Sequence, residues 1–350
     1  MKLIVPAAGK SSRFPNIRPK WTLTHPNGEM MFIEAIKGLP LKSFENIYLT
    51  VLRSHLEQFK LEKGIRKSLD RLGVNYSLTI LDESTRSQSE TVFKTLEQNN
   101  INGPFLVKDS DNHFSIDEIE GNSICVYDIE SCGKINAGNK SYVEANNDGI
   151  INNIIEKKII SSTFCVGGYA FEEAAKFMSV YQELEKENRN NELYISHIVF
   201  KMILDGETFI RKFVTNYKDW GTLDDWEEYT SQYKTIFIDM DGVLVENSGE
   251  YVAPYWGETK GLPQNIAFIN QLFDSGKVKI IITTSRKSEY KEQTLQQLQK
   301  EGIKYHHIIF DLLHTSSRIL INDWSDTNPY KTCDSINIRR NTDELHKYLR

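Results

Sequence analysis

Short apolar runs alternate with amphipathic stretches through the first two-thirds of the chain. Residues 3–7, 46–51, 75–81 and 105–107 have the apolar content of buried strands, and helical patterns at 31–37, 54–72 and 89–98 separate them. Strands that alternate with helices form parallel sheets with helices on both faces. We therefore predict an α/β fold with a mostly parallel sheet for this part of the chain.

The pattern changes between residues 123 and 171. Residues 124–127, 141–144, 150–156 and 164–171 are typical of strands joined by Gly- and Asn-rich turns, and the turn at 146–149 is a hairpin signal. Helical patterns follow at 171–187 and 192–204, then a strand at 208–214 and a helix at 223–233.

A second α/β pattern begins at residue 234, after a very short linker. Apolar runs at 235–238, 277–286 and 319–323 indicate strands, and the patterns at 262–275 and 287–301 indicate helices. We predict two domains, 1–230 and 234–350. Each should be a mostly parallel sheet with helices on both faces.

Composition places the chain among ordinary globular proteins. Its 350 residues are 39% hydrophobic and 26% charged, and the net charge of -6 argues against a broad nucleic-acid surface. The four cysteines show no CxxC pair, so we expect free thiols in a reducing compartment. The first apolar run is too short for a signal peptide, and no stretch approaches the ~20 apolar residues that a membrane span needs. We expect a cytoplasmic protein without a membrane span.

A loop of small and basic residues follows the first strand directly. Small side chains let the backbone approach a ligand and direct its N–H groups at phosphate oxygens, and arginine can bind phosphate through two hydrogen bonds. The loop has neither P-loop spacing nor the glycines of a dinucleotide fingerprint. The alternative is a surface loop with scattered basic residues. The candidate nucleotide-binding residues are Ala7, Ala8, Gly9, Lys10, Ser11 and Ser12, with the cations Arg13 and Lys20.

Two acidic turns supply candidate metal ligands. The turn KDSDN at 108–112 follows the strand at 105–107, which places Asp111 at the same sheet edge as the loop. Asp219 offers a second carboxylate late in the same domain. Two carboxylates and a triphosphate suit Mg²⁺, which neutralises charge in phosphoryl and nucleotidyl transfer.

The order of these segments resembles that of the sugar-phosphate nucleotidyltransferases, over roughly residues 1–230. The matching segments are AAGKSSRF, RPK at 18–20, residues 86–91, KDSDN, residues 156–157 and 167–169, and DWGT at 219–222. The family joins a nucleoside triphosphate to a sugar or polyol phosphate and releases pyrophosphate. The resemblance implies a Rossmann-like nucleotidyltransferase fold with catalytic Arg13 and Lys20, nucleotide contacts from Gln88 and Ser110, Mg²⁺ at Asp111 and Asp219, and acceptor contacts from Lys157, Gly168 and Glu192. The serines of AAGKSSRF bring the loop closer to cytidylyltransferases, which makes CTP the preferred nucleotide.

The strand at 235–238 ends in two carboxylates one residue apart, Asp239 and Asp241, followed by Gly242. Alternate residues share a side, so both carboxylates point to the edge where α/β sheets bind ligands. Two close carboxylates repel unless a cation lies between them or one is protonated. The pair suits a Mg²⁺ site with one oxygen free to attack phosphorus and a second group to move protons. The alternative is a strand followed by an acidic turn.

The DMDGV segment resembles the first motif of the haloacid dehalogenase (HAD) phosphohydrolases, over roughly residues 234–350. The resemblance implies a HAD-like fold, an aspartyl-phosphate nucleophile at Asp239, a general acid/base at Asp241, and a phosphate-binding hydroxyl at Thr284. It also implies Mg²⁺ held by the Asp239 carboxylate and the Asp241 carbonyl, with Asp323 completing the shell. The family's lysine is missing. Arg318 or His314 could supply its charge, and Arg318 is favoured because it stays charged at neutral pH.

Together the two resemblances predict a bifunctional enzyme of activated-sugar or polyol biosynthesis for surface glycans such as capsule. One domain would transfer a nucleotidyl group from CTP or another triphosphate, and the other would hydrolyse a phosphate monoester, both with Mg²⁺. One alternative is an active transferase with a degenerate HAD domain that serves as a binding or oligomerisation module. Another is a nucleotide-sensing protein without catalysis. The sequence does not identify the acceptor. It also leaves the oligomeric state open, and a homo-oligomer is among the states that it allows.

Overall fold

The computed structural model describes residues 1–9, 18–132, 137–187, 192–323 and 332–349. The chain forms two compact units, Met1–Glu227 and Glu228–Arg350. Within the described ranges, no helix is both long and apolar enough to cross a membrane.

Unit 1 is built on a mixed β-sheet and a separate two-stranded sheet. The strands of the unit are β1 (Lys2–Ala7), β2 (Ile47–Leu52), β3 (Tyr76–Leu81), β4 (Phe105–Lys108), β5 (Asn112–Ser115), β6 (Ser123–Asp128), β7 (Ser141–Ala145), β8 (Ile151–Glu156), β9 (Thr163–Phe171), β10 (Ile210–Phe213) and β11 (Thr215–Asp219). The order of the mixed sheet is β10-β6-β9-β4-β1-β2-β3, with β7 paired to β9 and β8 paired to β7, and the separate sheet consists of β5 and β11. Strands β1 to β4 are parallel, and β9 is antiparallel to β4 and β6. The predicted mostly parallel central sheet and the hairpin between β7 and β8 are confirmed.

The central strands are buried on both faces because successive side chains point to opposite sides of the sheet. In β1, Leu3 and Val5 pack into one hydrophobic core and Ile4 packs into the other. β4 alternates in the same way, with Leu106 in the first core and Val107 in the second. The two cores correspond to the two helix-covered faces that continuous apolar strands predict.

The helices of unit 1 are α1 (Met31–Ile36), α2 (Arg53–Phe59), α3 (Glu62–Asp70), α4 (Gln88–Gln98), α5 (Ala174–Glu187) and α6 (Ile195–Leu204), and the boundary between the units falls within α7 (Leu223–Thr230). The prediction of a single helix over 54–72 is wrong. Lys60 adopts a left-handed conformation, with φ of 52°, and ends α2. The amphipathic pattern continues across this break, so periodicity alone did not reveal it.

The strand order of unit 1 reverses direction at β1. The chain runs from β1 to β2 and β3 on one side, whereas β4 pairs with the other side of β1. Ligands of open α/β sheets bind outside the carboxyl ends of the strands at such a switch point. The segments that follow β1 and β4 therefore flank the expected ligand crevice.

Unit 2 has a three-stranded parallel sheet in the order β12 (Lys234–Asp239), β13 (Val278–Thr283) and β14 (His307–Ile309). Its helices are α8 (Pro263–Asp274) and α9 (Lys291–Lys300). The sequence did not predict β14. The strand predicted at 319–323 is not present, and Ile319 and Ile321 are 81% and 89% exposed. An apolar run shows that a segment can form a strand, but it does not provide the neighbouring strand.

Candidate functional site

The loop after β1 lies at the switch point of unit 1. Ala7 and Ala8 are buried, and Gly9 is exposed. The Ala8 carbonyl accepts a hydrogen bond from Thr85 Oγ1 at 3.5 Å, which connects the loop to the segment before α4. The predicted residues Lys10, Ser11, Ser12 and Arg13 lie outside the described residues.

The two predicted metal-binding carboxylates of unit 1 are brought together by the pairing of β5 with β11. β5 and β11 form an antiparallel pair in which Asp219 is opposite Asn112. The Trp220 N–H donates to the Asp111 carbonyl at 2.9 Å, so Asp111, which precedes β5, lies beside Asp219, which ends β11. The Lys20 ammonium forms an ion pair with Asp111. The structure therefore brings three of the predicted residues together.

Asp219 is paired with a lysine that sequence reasoning missed. Lys140 Nζ contacts the Asp219 carboxylate and donates to the Tyr217 hydroxyl at 3.0 Å. Burial, in first place, and then the charges of Asp219 and Asp111 raise the pKa of Tyr217 well above its ordinary value. Lys140 therefore links the Asp219 carboxylate to the Tyr217 hydroxyl.

The donor set fits Mg²⁺ only in part. Carboxylate oxygens are the ligands that Mg²⁺ prefers, but the described residues contain no cluster of three or more His, Cys, Asp or Glu side chains that could hold a metal. Mg²⁺ usually binds through one or two carboxylates plus substrate phosphates. Asp111 and Asp219 therefore suit a metal that arrives with a triphosphate.

Hydrogen bonds from the Lys108 side chain stabilise the turn between β4 and β5. The side chain is fully buried, and its ammonium donates to the Asp109 carbonyl at 2.9 Å, the Asn112 carbonyl at 2.8 Å and Asn112 Oδ1 at 2.6 Å. Burial lowers the pKa of Lys108 to about 8. Ser110, a predicted nucleotide contact, is buried in this turn. The three bonds fix the backbone that presents Asp111.

Asp109 contacts Gln88, which the resemblance predicts to bind the nucleotide. Gln88 Nε2 donates to the Asp109 carboxylate. The Asp109 N–H donates to the Gly167 carbonyl at 2.8 Å. Gly167 has a φ of +76°, and a Cβ added there would lie 2.2 Å from Asp109 Oδ2, so the carboxylate occupies the space of a missing side chain. Burial, and after it the neighbouring Asp111, raise the pKa of Asp109.

Two of the three predicted acceptor residues form one cluster. Lys157 Nζ donates to the Tyr194 hydroxyl at 2.5 Å, and this hydroxyl donates to Glu192 at 2.5 Å. The Lys157 ammonium also lies 4.4 Å from the centre of the Tyr194 ring. Gly168 is not in this cluster. It lies within β9, where an added Cβ would be 2.8 Å from the Cys125 side chain, so close packing explains the glycine.

In unit 2, Asp239 lies at the carboxyl end of β12, opposite Thr283. Arg318 donates to Asp239 Oδ1 at 3.0 Å and to Thr283 Oγ1 at 3.2 Å. Burial raises the pKa of Asp239, and Arg318 opposes the shift. A guanidinium thus lies beside the predicted nucleophile.

Asp241 is held by a residue to which the sequence analysis gave no role. Arg286 is fully buried and donates to both Asp241 oxygens, at 2.9 and 2.8 Å, and Ser248 donates to Asp241 Oδ1 at 2.7 Å. Thr284 is also buried, and its hydroxyl accepts the Arg286 N–H at 3.1 Å. The sequence does carry one sign of a role for Arg286, because this charged residue follows a buried strand closely.

Asp323 is not brought to this cluster. Its side chain is exposed, and its described contact is a hydrogen bond from Thr332 Oγ1 to its carbonyl at 2.9 Å. The predicted position depended on a strand over 319–323 that the structure lacks. His314, the weaker candidate for the missing positive charge, stacks on Trp256 with ring centres 5.9 Å apart.

We found no family model and no curated protein that matches the chain. Solved structures do match. A nucleoside-diphosphate-sugar pyrophosphorylase from Vibrio cholerae RC9 aligns with a TM-score of 0.55 and 20% identity, over 65% of this chain and 98% of its own. An inositol-1-phosphate CTP transferase from T. maritima aligns with a TM-score of 0.50 and 17% identity, over 64% of this chain and 90% of its own. A UDP-glucose pyrophosphorylase complexed with UDP-glucose aligns with a TM-score of 0.51 and 16% identity, over 65% and 96%.

The fold is nucleotidyltransferase-like. This confirms the fold predicted for the first part of the chain, because the matched share of 65% is about the size of unit 1, Met1–Glu227. Identities of 16–20% show the fold alone. The activity must therefore be argued from the site. The HAD-like fold of unit 2 stays a prediction.

Proposed function

We propose that unit 1 is a nucleotidyltransferase that transfers a nucleotidyl group from a nucleoside triphosphate, with CTP preferred, to a sugar or polyol phosphate. The observation that carries the proposal is the pair of lysine–carboxylate contacts at the switch point. Lys20 contacts Asp111, Lys140 contacts Asp219, and strands β5 and β11 bring the two together. Alternating cations and carboxylates suit a metal-bound triphosphate.

In the proposed reaction, a phosphate oxygen of the acceptor attacks the α-phosphorus in line. A new P–O bond forms, the bond to the bridging oxygen of the β-phosphate breaks, and pyrophosphate leaves with that electron pair. Asp111 and Asp219 would hold Mg²⁺, which neutralises phosphate charge when bound. Lys20 donates to an α-phosphate oxygen, and Arg13 binds the triphosphate. Positioning and charge neutralisation supply most of the barrier reduction.

The acceptor is proposed to bind at the Lys157–Tyr194–Glu192 cluster. The ammonium suits the acceptor phosphate, and the carboxylate suits the hydroxyls of a sugar or polyol. Ser89 Oγ on α4 contacts the Leu193 carbonyl, which joins this cluster to the helix that carries Gln88. The β9 backbone at Gly168 would complete the acceptor side, and the Ala7–Ser12 loop, Ser110 and Gln88 the nucleotide side.

For unit 2 we propose hydrolysis of a phosphate monoester through an aspartyl-phosphate. Asp239 attacks phosphorus, the P–O bond to the leaving alcohol breaks, and Asp241 supplies the proton to that oxygen. Water then attacks the phosphorus of the phosphoaspartate, Asp241 accepts a proton from it, the bond between phosphorus and the Asp239 oxygen breaks, and phosphate leaves with the Asp239 carboxylate restored. The contact between Arg318 and Asp239 supports this proposal, because the guanidinium can neutralise the transferred phosphate. Thr284 would donate to a phosphate oxygen.

A second candidate for unit 2 is a catalytically degenerate binding or oligomerisation module. Both Asp241 oxygens are engaged by Arg286, and the Thr284 hydroxyl is tied to the backbone. The hydrolase proposal also requires Asp323 to approach as a Mg²⁺ ligand. The outer edge of β12 has no strand partner among the described residues. Residues 319–321 are exposed and apolar, so this segment could pair with that edge as a further strand of the sheet.

Pyrophosphate release tests the transferase proposal. The full chain is assayed with four nucleoside triphosphates against a panel of sugar and polyol phosphates. Asp111→Asn and Asp219→Asn should each lose at least about a hundredfold in kcat/KM, in the range that removal of a transition-state contact costs. Asp224→Asn, an exposed carboxylate on α7, is the matched control. Unchanged turnover in the first two variants would remove the metal assignment.

Phosphate release tests unit 2. Wild type and Asp239→Asn are compared on the same sugar phosphates without nucleotide. Release by wild type that the variant loses supports hydrolysis, and equally low release by both supports the degenerate module. On this proposal the protein acts in the cytoplasm on precursors of surface glycans.

A further inference from the structure

Gln88 lies at the switch-point crevice with one half of its carboxamide already engaged. It is the first residue of α4, partly exposed, and follows the segment that contacts the loop after β1 through Thr85. Its Nε2 donates to the Asp109 carboxylate. A carboxylate offers acceptors only, so the amide nitrogen must face Asp109 and the Oε1 oxygen must face away.

Asp109 has little freedom to release this contact. Its N–H is bonded to the Gly167 carbonyl at 2.8 Å, and its carboxylate fills the space beside Gly167. Lys108, which donates to the Asp109 carbonyl at 2.9 Å, fixes the backbone on the other side. The orientation of the Gln88 amide is therefore set by the fold and not by the ligand.

The Gln88 end of the crevice suits an uncharged polar group. Lys20 and Lys140 lie at the Asp111–Asp219 end, where phosphates are expected. Arg86, the cation next to Gln88 in sequence, is paired with Glu185. A nucleobase fits beside Gln88 better than a phosphate, because the Asp109 carboxylate would repel a phosphate.

We propose that the Asp109–Gln88 pair selects a pyrimidine base that carries an exocyclic amino group, so that CTP binds in preference to UTP. The inference rests on the proposed nucleotidyltransferase function. Cytosine and uracil have nearly the same shape, but cytosine presents an N4 amino donor where uracil presents the O4 acceptor. The Gln88 Oε1 oxygen accepts from the amino group and faces the lone pairs of O4. Asp109 is then a specificity-determining residue that acts through Gln88.

Equilibrium titration of the full chain with CTP, UTP and dCTP, in MgCl₂ and without acceptor, tests the inference. Wild type should bind CTP about tenfold more tightly than UTP, the size of one hydrogen bond gained against one lost. Asp109→Asn can pair with Gln88 in either orientation, because its amide both donates and accepts, so the CTP:UTP ratio should fall towards one. Gln88→Met should give the same fall. Gln98→Met, at the exposed end of the same helix, should leave the ratio unchanged.

The ratio is a suitable readout because a general loss of affinity in Asp109→Asn cancels from it. Equal binding of CTP and UTP by wild type would overturn the inference and leave the transferase proposal standing. A CTP preference that both variants keep would overturn it as well, and a difference between CTP and dCTP that depends on Asp109 would assign the pair to the ribose instead. Failure of wild type to bind any of the three nucleotides would overturn the proposed use of CTP itself, and the pyrophosphate assay with all four triphosphates then decides whether unit 1 is a transferase.

Discussion

Removal of Asp241 should destabilise unit 2 far more than removal of Asp239. The Arg286 side chain is fully buried, and Asp241 receives two hydrogen bonds from it at 2.8 and 2.9 Å. Loss of one partner of a buried ion pair leaves an uncompensated charge and typically costs about 3–5 kcal/mol. The remaining bond from Arg286 to Thr294 at 3.3 Å places Asp241→Ala at the lower end, about 3 kcal/mol.

The matched comparison is Asp239→Ala. The Arg318 and Asp239 side chains are 44% and 35% exposed, and removal of such a pair costs under about 1 kcal/mol. Loss of either carboxylate also relieves the repulsion between Asp239 and Asp241, so this effect is common to both variants.

Amide hydrogen exchange of peptides from β13 measures the free energy of opening of unit 2, with peptides from β2 in unit 1 as the internal reference. Exchange in β13 should accelerate about a hundredfold in Asp241→Ala and less than about tenfold in Asp239→Ala, since 1.4 kcal/mol is a factor of ten. Equal small effects in the two variants would refute a stabilising buried pair. Faster exchange in β2 as well would show that the effect is not confined to unit 2.

Three further predictions concern unit 1. Gly167→Ala should lower the midpoint of thermal unfolding of unit 1, because a Cβ would lie 2.2 Å from Asp109. Gly73→Ala, also at positive φ but in open space, should cost only the backbone strain of about 1 kcal/mol. Similar losses in the two variants would contradict this prediction. Ser87→Ala removes the N-cap of α4 and should cost about 1 kcal/mol in urea unfolding. Lys157→Met should raise KM for the acceptor phosphate and leave KM for the triphosphate within about twofold, whereas a larger rise for the triphosphate would move Lys157 out of the acceptor site.

The sequence predicted those parts of the fold that local patterns determine. Strands β1 to β4 are continuous apolar runs between polar segments, and the hairpin at 146–149 has the turn residues that such a turn requires. The paired strands β5 and β11 were missed. They are short and partly polar, so neither shows the apolar pattern of a buried strand.

The sequence predicted which residues belong to the site more successfully than it predicted which of them contact each other. Asp111 and Asp219 were singled out as one metal pair, and the structure does bring them together where β11 ends beside the start of β5. Lys140, the partner of Asp219, and Arg286, the partner of Asp241, carry no local signal of contact, because 79 and 45 residues separate the members of the two pairs. Asp323 shows the opposite error, since its expected position depended on a strand that does not form.

Transfer of label from two forms of CTP tests directly whether unit 1 is a nucleotidyltransferase. The full chain is incubated with MgCl₂, the panel of sugar and polyol phosphates, and CTP labelled with ³²P at either the α- or the γ-phosphate. We expect the α-label to enter a nucleotidyl product made with one acceptor class and the γ-label to be released as pyrophosphate, both lost in Asp111→Asn. Release of the γ-label as free phosphate, with no acceptor that takes up the α-label, would contradict a nucleotidyltransferase that uses CTP.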